Sequence, residues 1–384
     1  MGRFREALAQ DGLTAIAEVK RRSPSAGELR PDADPAELAA AFERAGAAAV
    51  SILVDKRFGG TPADLAAARA ASHVPLLAKG FFSERAELER LRSLGADAVL
   101  LLLRDLDDSQ AGALMAAAEE LGLDTLVEAH DADELRRAVE LGADPIGINA
   151  RDLATFAIDR GAQLRLVESA PRDRIVVAES AIAARAHGAE AELAGADAVL
   201  VGSALMRAPD PAAKLAELLA RPLVKVCGLT REEDLAVAVD AGADLAGFIL
   251  AKESPRRAKR VLDVPDTMLS VAVFVEDVAE AGADLVQWYA RENGHRARDG
   301  VLLRDGERVA TVIDLPWQQD DPSHLERARA AEGRVMLAGG LSADNVREAI
   351  DAVRPWAVDA SSSLEVKPGV KDHDAVRAFV EAAR

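Results

Sequence analysis

The chain has 384 residues, and its 65 acidic and 47 basic residues give a formal net charge of −18 at pH 7. A charge of this sign argues against nucleic acid or an anionic membrane as a partner, and the sequence has no apolar run long enough to predict a signal peptide or a membrane span. The single cysteine excludes an internal disulfide and a thiolate metal cage, and together with six histidines that show no paired spacing it predicts a cytoplasmic protein without a metal.

One short pattern recurs along the chain: an Ala/Glu/Arg-rich helical stretch, a glycine, a short polar turn and then an apolar run. Glycine is the residue best suited to the left-handed cap at the end of a helix. Continuous apolar runs, rather than alternating ones, are typical of strands buried on both faces, as in a parallel sheet. The pattern is found at 43–54, 93–102, 140–149, 193–202, 240–250 and 279–287.

The first half contains eight apolar runs of strand length separated by helical patterns, and eight strands close a (β/α)8 barrel. A doubly wound open sheet is the alternative, but no GxGxxG follows the first strand. Residues 207–222 read as a last helix and a linker, so we expect one domain over 1–219 and a second over 220–384. The predicted strands are 13–20, 48–54, 74–79, 97–103, 123–128, 145–149, 175–180 and 197–202.

The second half repeats the pattern but is short, since residues 222–384 number only 163, against roughly 200 in the smallest usual barrels. Asp305-Gly306 between two apolar runs is a strong signal for a two-residue hairpin. Such a hairpin makes antiparallel neighbours, so we expect two tandem α/β barrels of TIM type, the second shortened and irregular around 286–330. Its other predicted strands are 223–227, 244–250, 269–275, 283–287, 334–338 and 355–360.

Polar groups stand at the ends of six of the eight predicted strands of the first half. One such residue is commonly a solvated cap, but the carboxyl ends of barrel strands all meet at one mouth. Glu18 and Lys20 are two residues apart and therefore share a face of their strand. The joint pattern indicates an active site. Its other members are Lys79, Glu128, Asn149, Arg151, Glu179, Ser180, Gly202 and Ser203.

Four motifs of the first half resemble indole-3-glycerol-phosphate synthases, which are (β/α)8 enzymes of tryptophan biosynthesis. They are "IAEVKRRSPSAG", "LVEAH", "IGINARDLATF" and "VVAES", and the resemblance runs through nearly all of residues 5–218. It implies a decarboxylating and dehydrating ring closure of a carboxyphenylamino-deoxyribulose phosphate to indole-3-glycerol phosphate. The chain departs from the family at Gly80, where Asp is usual, and at Ala181, where Gly is usual.

The resemblance also implies roles for individual residues. Lys79 would be the general acid for the dehydration, and Glu128 the carboxylate that accepts or relays a proton. Lys20 and Arg151 would hold the substrate carboxylate, the arginine through a bidentate fork. By the same resemblance Glu18 orients Lys20, Asn149 bonds substrate hydroxyls, Glu179 belongs to the catalytic set, and Ser23, Ser180, Gly202 and Ser203 hold the phosphate.

Motifs of the second half resemble phosphoribosylanthranilate isomerases, which catalyse the preceding step and are often fused to the synthase in this order. They are "VKVCGLTREEDLAVAVDAGADLAGFI", "SPRRA", "LAGGLSADNVREAI" and "RPWAVDASSSLE". The resemblance implies an Amadori isomerisation of N-(5-phosphoribosyl)anthranilate without a metal or cofactor. Cys227 would be the base, its pKa lowered by Lys225 if the two are close; a small buried apolar residue is the alternative for this cysteine. Arg256 would bind the anthranilate carboxylate, and Gly339, Gly340, Ser361 and Ser362 the phosphate.

The general acid of the second half is less well defined by the sequence. Asp314, at the end of "RVATVID", is the only good candidate, and a helix or turn cap is the alternative. The family's glycine-rich loop is absent, and its "QLHG" is "QWYA" here. We therefore keep two hypotheses. The first is a bifunctional enzyme that acts on sugar phosphates and has other tryptophan-pathway enzymes as expected partners. The second is an active synthase whose second half only binds phosphate ligands or stabilises the first. A third, a histidine-pathway aminoaldose isomerase, is opposed by the retained "KVCGLT".

Overall fold

The computed structural model describes residues 2–23, 27–151, 158–315 and 321–384. It divides the chain into two compact units, one made of residues 1–183 and 187–219 and the other of residues 184–186 and 220–384. Each unit contains a closed barrel of eight strands, which confirms the predicted fold class. Residues 24–26 and 152–157, which overlap two of the quoted motifs, and residues 316–320 lie outside the described residues.

The first barrel is entirely parallel, and each strand pairs with its neighbours in the chain until the eighth closes on the first. All eight predicted strands are present, with ends within two residues of those expected. The strands are β1 (Thr14–Val19), β2 (Ala49–Leu53), β3 (Leu76–Lys79), β4 (Ala98–Leu102), β5 (Asp124–Ala129), β6 (Ile146–Asn149), β7 (Val176–Glu179) and β8 (Ala198–Val201). The helices are α1 (Arg3–Leu8), α2 (Pro35–Arg44), α3 (Pro62–Ala71), α4 (Arg85–Ser93), α5 (Asp108–Glu120), α6 (Ala132–Glu140), α7 (Arg160–Ser169), α8 (Arg185–Ala194), α9 (Ser203–Arg207) and α10 (Pro211–Leu219).

Helix α1 covers the amino ends of the strands of this barrel. Phe4 and Leu8 are fully buried in one cluster with inward-facing strand residues such as Ile16 and Leu77. The carboxylate of Asp124, the first residue of β5, accepts hydrogen bonds from the backbone N–H groups of Phe4 and Arg5. The apolar lower half of the barrel is thereby closed, and the polar strand ends lie at the opposite, carboxyl end.

The second barrel is mixed, because its fifth strand runs antiparallel to both neighbours. This strand and the next form the hairpin predicted at Asp305-Gly306, where φ is +50° and +84°, as a tight two-residue turn requires. The strands are β9 (Leu223–Cys227), β10 (Leu245–Ile249), β11 (Leu269–Val275), β12 (Leu285–Tyr289), β13 (Gly300–Arg304), β14 (Glu307–Ile313), β15 (Val335–Ala338) and β16 (Ala357–Ala360). The helices are α11 (Glu232–Ala241), α12 (His324–Ala330), α13 (Val346–Val353) and α14 (His373–Ala382).

The shortness of the second unit comes from missing crossover helices. No helix occurs in the described residues between β10 and α12, although parallel strands are usually joined through one. A small hairpin, Arg291–Glu292 paired with His295–Arg296, stands between β12 and β13 instead. Reversing β13 lets two strands be joined by two residues, so eight strands close within the short chain. None of the described helices is long and apolar enough to cross a bilayer.

Candidate active sites

Four predicted residues of the first barrel form one charged cluster at the carboxyl ends of its strands. The ammonium of Lys79, at the end of β3, lies 3.6 Å from Glu128 Oε2 and 3.7 Å from Glu18 Oε2. It also donates a hydrogen bond to Glu179 Oε2. All three carboxylates are buried, so one cation is surrounded by three acids in a region of low dielectric.

Three further predicted residues extend this cluster. Lys20 Nζ lies 2.7 Å from Glu18 Oε1, and Asn149 Nδ2 donates a hydrogen bond of 3.0 Å to Glu128 Oε1. The backbone N–H of Arg151 donates to Asn149 Oδ1 at 3.0 Å, so the backbone of Arg151 lies beside the cluster. The structure therefore brings together residues that the sequence predicted at the ends of five separate strands and in the loop after β6.

The cluster sets its acid groups far apart in pKa. Burial would lower the pKa of Lys79, but the three carboxylates, Glu179 foremost, raise it well above its ordinary value. Burial and the charge of Glu128 raise the pKa of Glu179 to about 8. Burial would also raise the pKa of Glu128, but Lys79 and His130 outweigh it and lower that pKa to about 2. The site thus holds a protonated Lys79, an ionised Glu128 and a Glu179 that can exchange its proton near neutral pH.

His130 belongs to this site, although the sequence singled it out for no role. Its Nε2 lies 3.1 Å from Glu128 Oε1 and its Nδ1 lies 3.0 Å from Glu134 Oε2, in the first turn of α6. Burial would lower the pKa of His130, but its close contacts with the carboxylates of Glu128 and Glu134 raise it to about 10. The signal was present in "LVEAH", because a residue two places after Glu128 continues the same face of β5.

Two glycines, which have no side chain, make room for the charged cluster. A Cβ at Gly147 in β6 would overlap Glu179 Oε1, and a Cβ at Gly202 would overlap Glu18 Oε1 and crowd Lys20 Nζ. Gly202 is one of the predicted phosphate residues, and its position against Glu18 and Lys20 places it at the same mouth.

The other predicted phosphate residues lie around this rim. Ser180 directly follows Glu179 and has a φ of +70°, and Ala181 has a φ of +59°. Ser203 follows Gly202 and begins α9, while Ser23 is buried in the short hairpin after β1. Ala181 stands at the usual glycine of the family and adopts the left-handed backbone that glycine favours.

In the second barrel Cys227 ends β9 and is 5% exposed. Lys225, two residues earlier, is fully buried, and its Nζ lies 2.8 Å from Asp359 Oδ2 and 2.6 Å from Gln287 Oε1. Burial raises the pKa of the Cys227 thiol, and the opposing effects of Lys225 and Lys371 do not offset it. Lys225 acts on Cys227 in the expected direction, but burial outweighs it, so the pKa of the thiol lies above its ordinary value.

A charged group beside Cys227 contains the predicted carboxylate-binding arginine. Arg256 Nε lies 2.7 Å from Glu365 Oε2, and Lys371 Nζ lies 3.1 Å from Glu365 Oε1. A Cβ at Gly228, directly after Cys227, would be in contact with both Arg256 and Glu365. Glu365 ends one of the quoted motifs but was given no role there, and Lys371 was not singled out by the sequence; the structure places both beside Arg256.

The predicted phosphate residues of this barrel lie at its last two strands. Gly339 and Gly340 follow β15 with φ of +88° and +69°, and Ser361 follows β16. The hydroxyl of Ser361 is buried and has no hydrogen-bond partner among the described residues, which is a feature of binding sites. Ser362 begins the short helical turn that comes next.

Asp314 directly follows β14, the sixth strand of the barrel. Its Oδ2 accepts hydrogen bonds from Tyr289 OH at 2.8 Å and from Arg296 at 3.0 Å, and its Oδ1 accepts one from the Leu315 N–H at 2.7 Å. Burial raises the pKa of Asp314 although Arg296 and Tyr289 act to lower it. Tyr289 and Gln287 come from "QWYA", where the sequence departs from its family, so resemblance gave no signal for them.

Comparison with known proteins finds similar families and relatives for both halves of the chain. Residues 2–218 match the family model for indole-3-glycerol phosphate synthase, and residues 317–382 match that for N-(5'-phosphoribosyl)anthranilate isomerase. The multifunctional tryptophan biosynthesis protein of Schizosaccharomyces pombe is 31% identical over 99% of this chain, which covers 61% of that protein. The chain therefore spans about three fifths of the length of this relative.

Further relatives match one half of the chain each. Indole-3-glycerol phosphate synthase 2 of Streptomyces coelicolor is 46% identical over 54% of this chain and 81% of its own length. Among solved structures, TrpF from Jonesia denitrificans is 26% identical, with a TM-score of 0.34, and matches 43% of this chain and 97% of its own. Phosphoribosyl anthranilate isomerase from Thermotoga maritima is 25% identical, also with a TM-score of 0.34, over 42% of this chain and 98% of its own.

Proposed function

The chain belongs to the indole-3-glycerol phosphate synthase family, and from that membership we propose that its first barrel closes the pyrrole ring of a carboxyphenylamino-deoxyribulose phosphate. The observation that carries the proposal is the cluster of Lys79 with Glu18, Glu128 and Glu179 at one mouth. Loss of CO2 and water requires charge stabilisation and a proton donor, and this cluster offers an ammonium beside carboxyl groups of opposite protonation.

In this proposal the residues of the first site divide the work by their charge. Lys20 and Arg151 hold the substrate carboxylate at the rim of the barrel mouth. Asn149 forms hydrogen bonds with the hydroxyl groups of the substrate. Lys79 delivers a proton to the departing hydroxyl, and Glu128, kept ionised, receives one. Because three carboxylates hold the proton on Lys79, those contacts have to weaken before Lys79 can transfer it. Glu179 is the group able to return a proton at neutral pH.

We propose further that the second barrel isomerises N-(5-phosphoribosyl)anthranilate. Asp314 protonates the ring oxygen while the C1′–O bond breaks and the anthranilate nitrogen forms a C1′=N bond. Cys227, acting as the thiolate that the charge of Lys225 favours, then removes the proton from C2′ and leaves an enol with a C1′=C2′ double bond. A proton added at C1′ and loss of the enol O–H proton then give the ketone. The family match at 317–382 and the relatives similar over nearly the whole chain support this half of the proposal.

Arg256 would bind the anthranilate carboxylate in exchange for Glu365, and Gly339, Gly340, Ser361 and Ser362 would bind the phosphate. The buried, unpaired Ser361 hydroxyl supports a polar ligand at this point. The same proposal assigns the synthase to residues 1–219 and the isomerase to residues 220–384. It also includes a cytoplasmic location and contact with other enzymes of the pathway.

Two measurements on the same purified protein test the two activities. Purified chain is mixed with phosphoribosylanthranilate, whose fluorescence reports the isomerisation, and indole-glycerol phosphate formation is measured separately from the next intermediate. We expect Cys227→Ala to abolish the first reaction and spare the second, and Lys79→Met to do the reverse. Synthase activity without any isomerisation by the wild type would instead support a second barrel that keeps its shape without its reaction.

A further inference from the structure

The second barrel contains a chain of buried hydrogen bonds that runs from the base side of its site to the acid side. Lys225 Nζ donates to Gln287 Oε1 at 2.6 Å, and Gln287 Nε2 donates to the Tyr289 hydroxyl at 2.6 Å. That hydroxyl in turn donates to Asp314 Oδ2 at 2.8 Å. Because each donor has one acceptor along this path, the direction of every bond is fixed once Lys225 is charged.

Strand β12 and the small hairpin after it supply both donors to Asp314. Gln287 and Tyr289 are two residues apart and both are buried, so they point into the barrel together. The hairpin brings Arg296 over the Tyr289 ring, with 4.2 Å between the guanidinium carbon and the ring centroid. The segment that the sequence marks as rebuilt is therefore the one that fixes the Asp314 carboxyl.

This inference rests on the isomerase proposed above. We propose that Tyr289 is a positioning residue for Asp314: its hydroxyl, held by Gln287, stabilises the carboxylate that forms as Asp314 gives its proton to the substrate ring oxygen. Donors aimed at a charge that develops during reaction accelerate the step, because they need no reorganisation when the charge appears.

The surroundings of Asp314 suit a group that starts protonated and ends ionised. Its Oδ2 accepts two donors, whereas its Oδ1 accepts only the Leu315 N–H among the described residues, so Oδ1 can carry the proton. The phenol of Tyr289 remains neutral, since burial and the charge of Asp314 raise its pKa well above the ordinary value. Tyr289 is therefore a donor at every working pH.

Other charged groups also face Asp314 and have to remain in place during the test. The carboxylate of Asp359, in β16, raises the pKa of Asp314, and the guanidinium of Arg296, in the small hairpin, lowers it. The backbone N–H of Asp314 donates to Asp299 Oδ1 at 3.1 Å, and Arg327 in α12 donates to its backbone carbonyl at 3.4 Å. Replacing Tyr289 by Phe keeps the ring beneath Arg296 and alters none of these four groups.

The test is Tyr289→Phe, which keeps the ring under Arg296 and removes only the hydroxyl. We expect kcat for isomerisation to fall about tenfold to a hundredfold, the range for one hydrogen bond to a charged group. Removing a donor to the carboxylate raises the pKa of Asp314, so the alkaline limb of the pH profile moves to higher pH. Trp288→Phe is the matched control, because the Trp288 indole donates outward to the Glu276 carbonyl, and it leaves both kcat and the limb unchanged.

A double-mutant cycle separates a role through Asp314 from simple packing. In an Asp314→Asn background, Tyr289→Phe has little further effect if the two residues act as a unit. A lower kcat without movement of the limb, or full additivity in the cycle, overturns the inference while leaving the isomerase in place. A wild type that does not isomerise the substrate overturns both. Synthase activity of the same chain reports that each variant is folded.

Discussion

The imidazole of His130 and the carboxylate of Glu128 form an ion pair with 3.1 Å between Nε2 and Oε1. Glu134 holds the other ring nitrogen, so the imidazole cannot turn away from Glu128. His130 therefore acts together with Lys79 to keep Glu128 ionised, and the charge of Glu128 adds to burial in keeping the proton on Glu179. The neighbours of Glu128 and Glu179 thus give these two glutamates opposite protonation states.

Replacing His130 by Asn removes this positive charge, so the pKa of Glu128 rises and the repulsion that holds the proton on Glu179 weakens. We expect kcat/KM for ring closure to fall about tenfold or more, since general acid–base groups contribute about a hundredfold or more when correctly protonated. The pH profile of kcat/KM, with His73→Asn as an exposed control, measures it. Equal profiles for wild type and variant contradict the role.

Glu179→Gln tests the proton near neutral pH. The pKa of Glu179 is about 8 in the folded chain and its ordinary value is 4.5, so native Glu179 keeps a proton that the unfolded chain has lost. The contribution to stability is complete below about pH 4.5 and is lost as pH rises towards 8. Gln cannot ionise, so we expect the variant to gain stability relative to the wild type across this window while losing synthase activity. Urea unfolding at several pH values measures the difference, and a constant difference contradicts the assignment.

Ala181→Gly removes a side chain from a left-handed backbone position with a φ of +59°. The left-handed region costs an L-residue about 1–2 kcal/mol, whereas glycine adds about 0.5–1 kcal/mol of backbone entropy on folding. We expect the free energy of unfolding to rise by about 0.5–1 kcal/mol. Ala183→Gly, where φ is not positive, is the control and lowers stability; equal effects at both positions contradict the strain argument.

Gly202→Ala adds a methyl group where the Glu18–Lys20 pair lies. The backbone φ of −125° lies outside the left-handed region that requires glycine, and the added methyl group meets the ends of two flexible side chains, so we expect these side chains to move while the fold is kept. We expect KM for the synthase substrate to rise about tenfold with an unchanged thermal midpoint, because Lys20 leaves the position from which it holds the substrate carboxylate. An unchanged KM would separate Gly202 from the site.

The strands and the strand-end residues of the first site were predictable because buried parallel strands are continuous apolar runs with fixed polarity. Lys79 and Glu128 had to meet once the barrel closed. The partners of Arg256 and Asp314 were not predictable, because they depend on lateral contacts between loops and on a strand that departs from its family. The thiol state of Cys227 was not predictable either, since burial outweighs the nearby Lys225.

The reversed strand β13 also determines where this chain tolerates additional sequence. Because β13 runs away from the mouth and β14 returns to it, the exposed Asp305-Gly306 turn lies at the opposite end from Cys227 and Asp314. Exposed tight turns far from a site are where inserted peptides are best accepted. An epitope or a fluorescent reporter placed at this turn would label the second barrel while leaving its chemistry untouched.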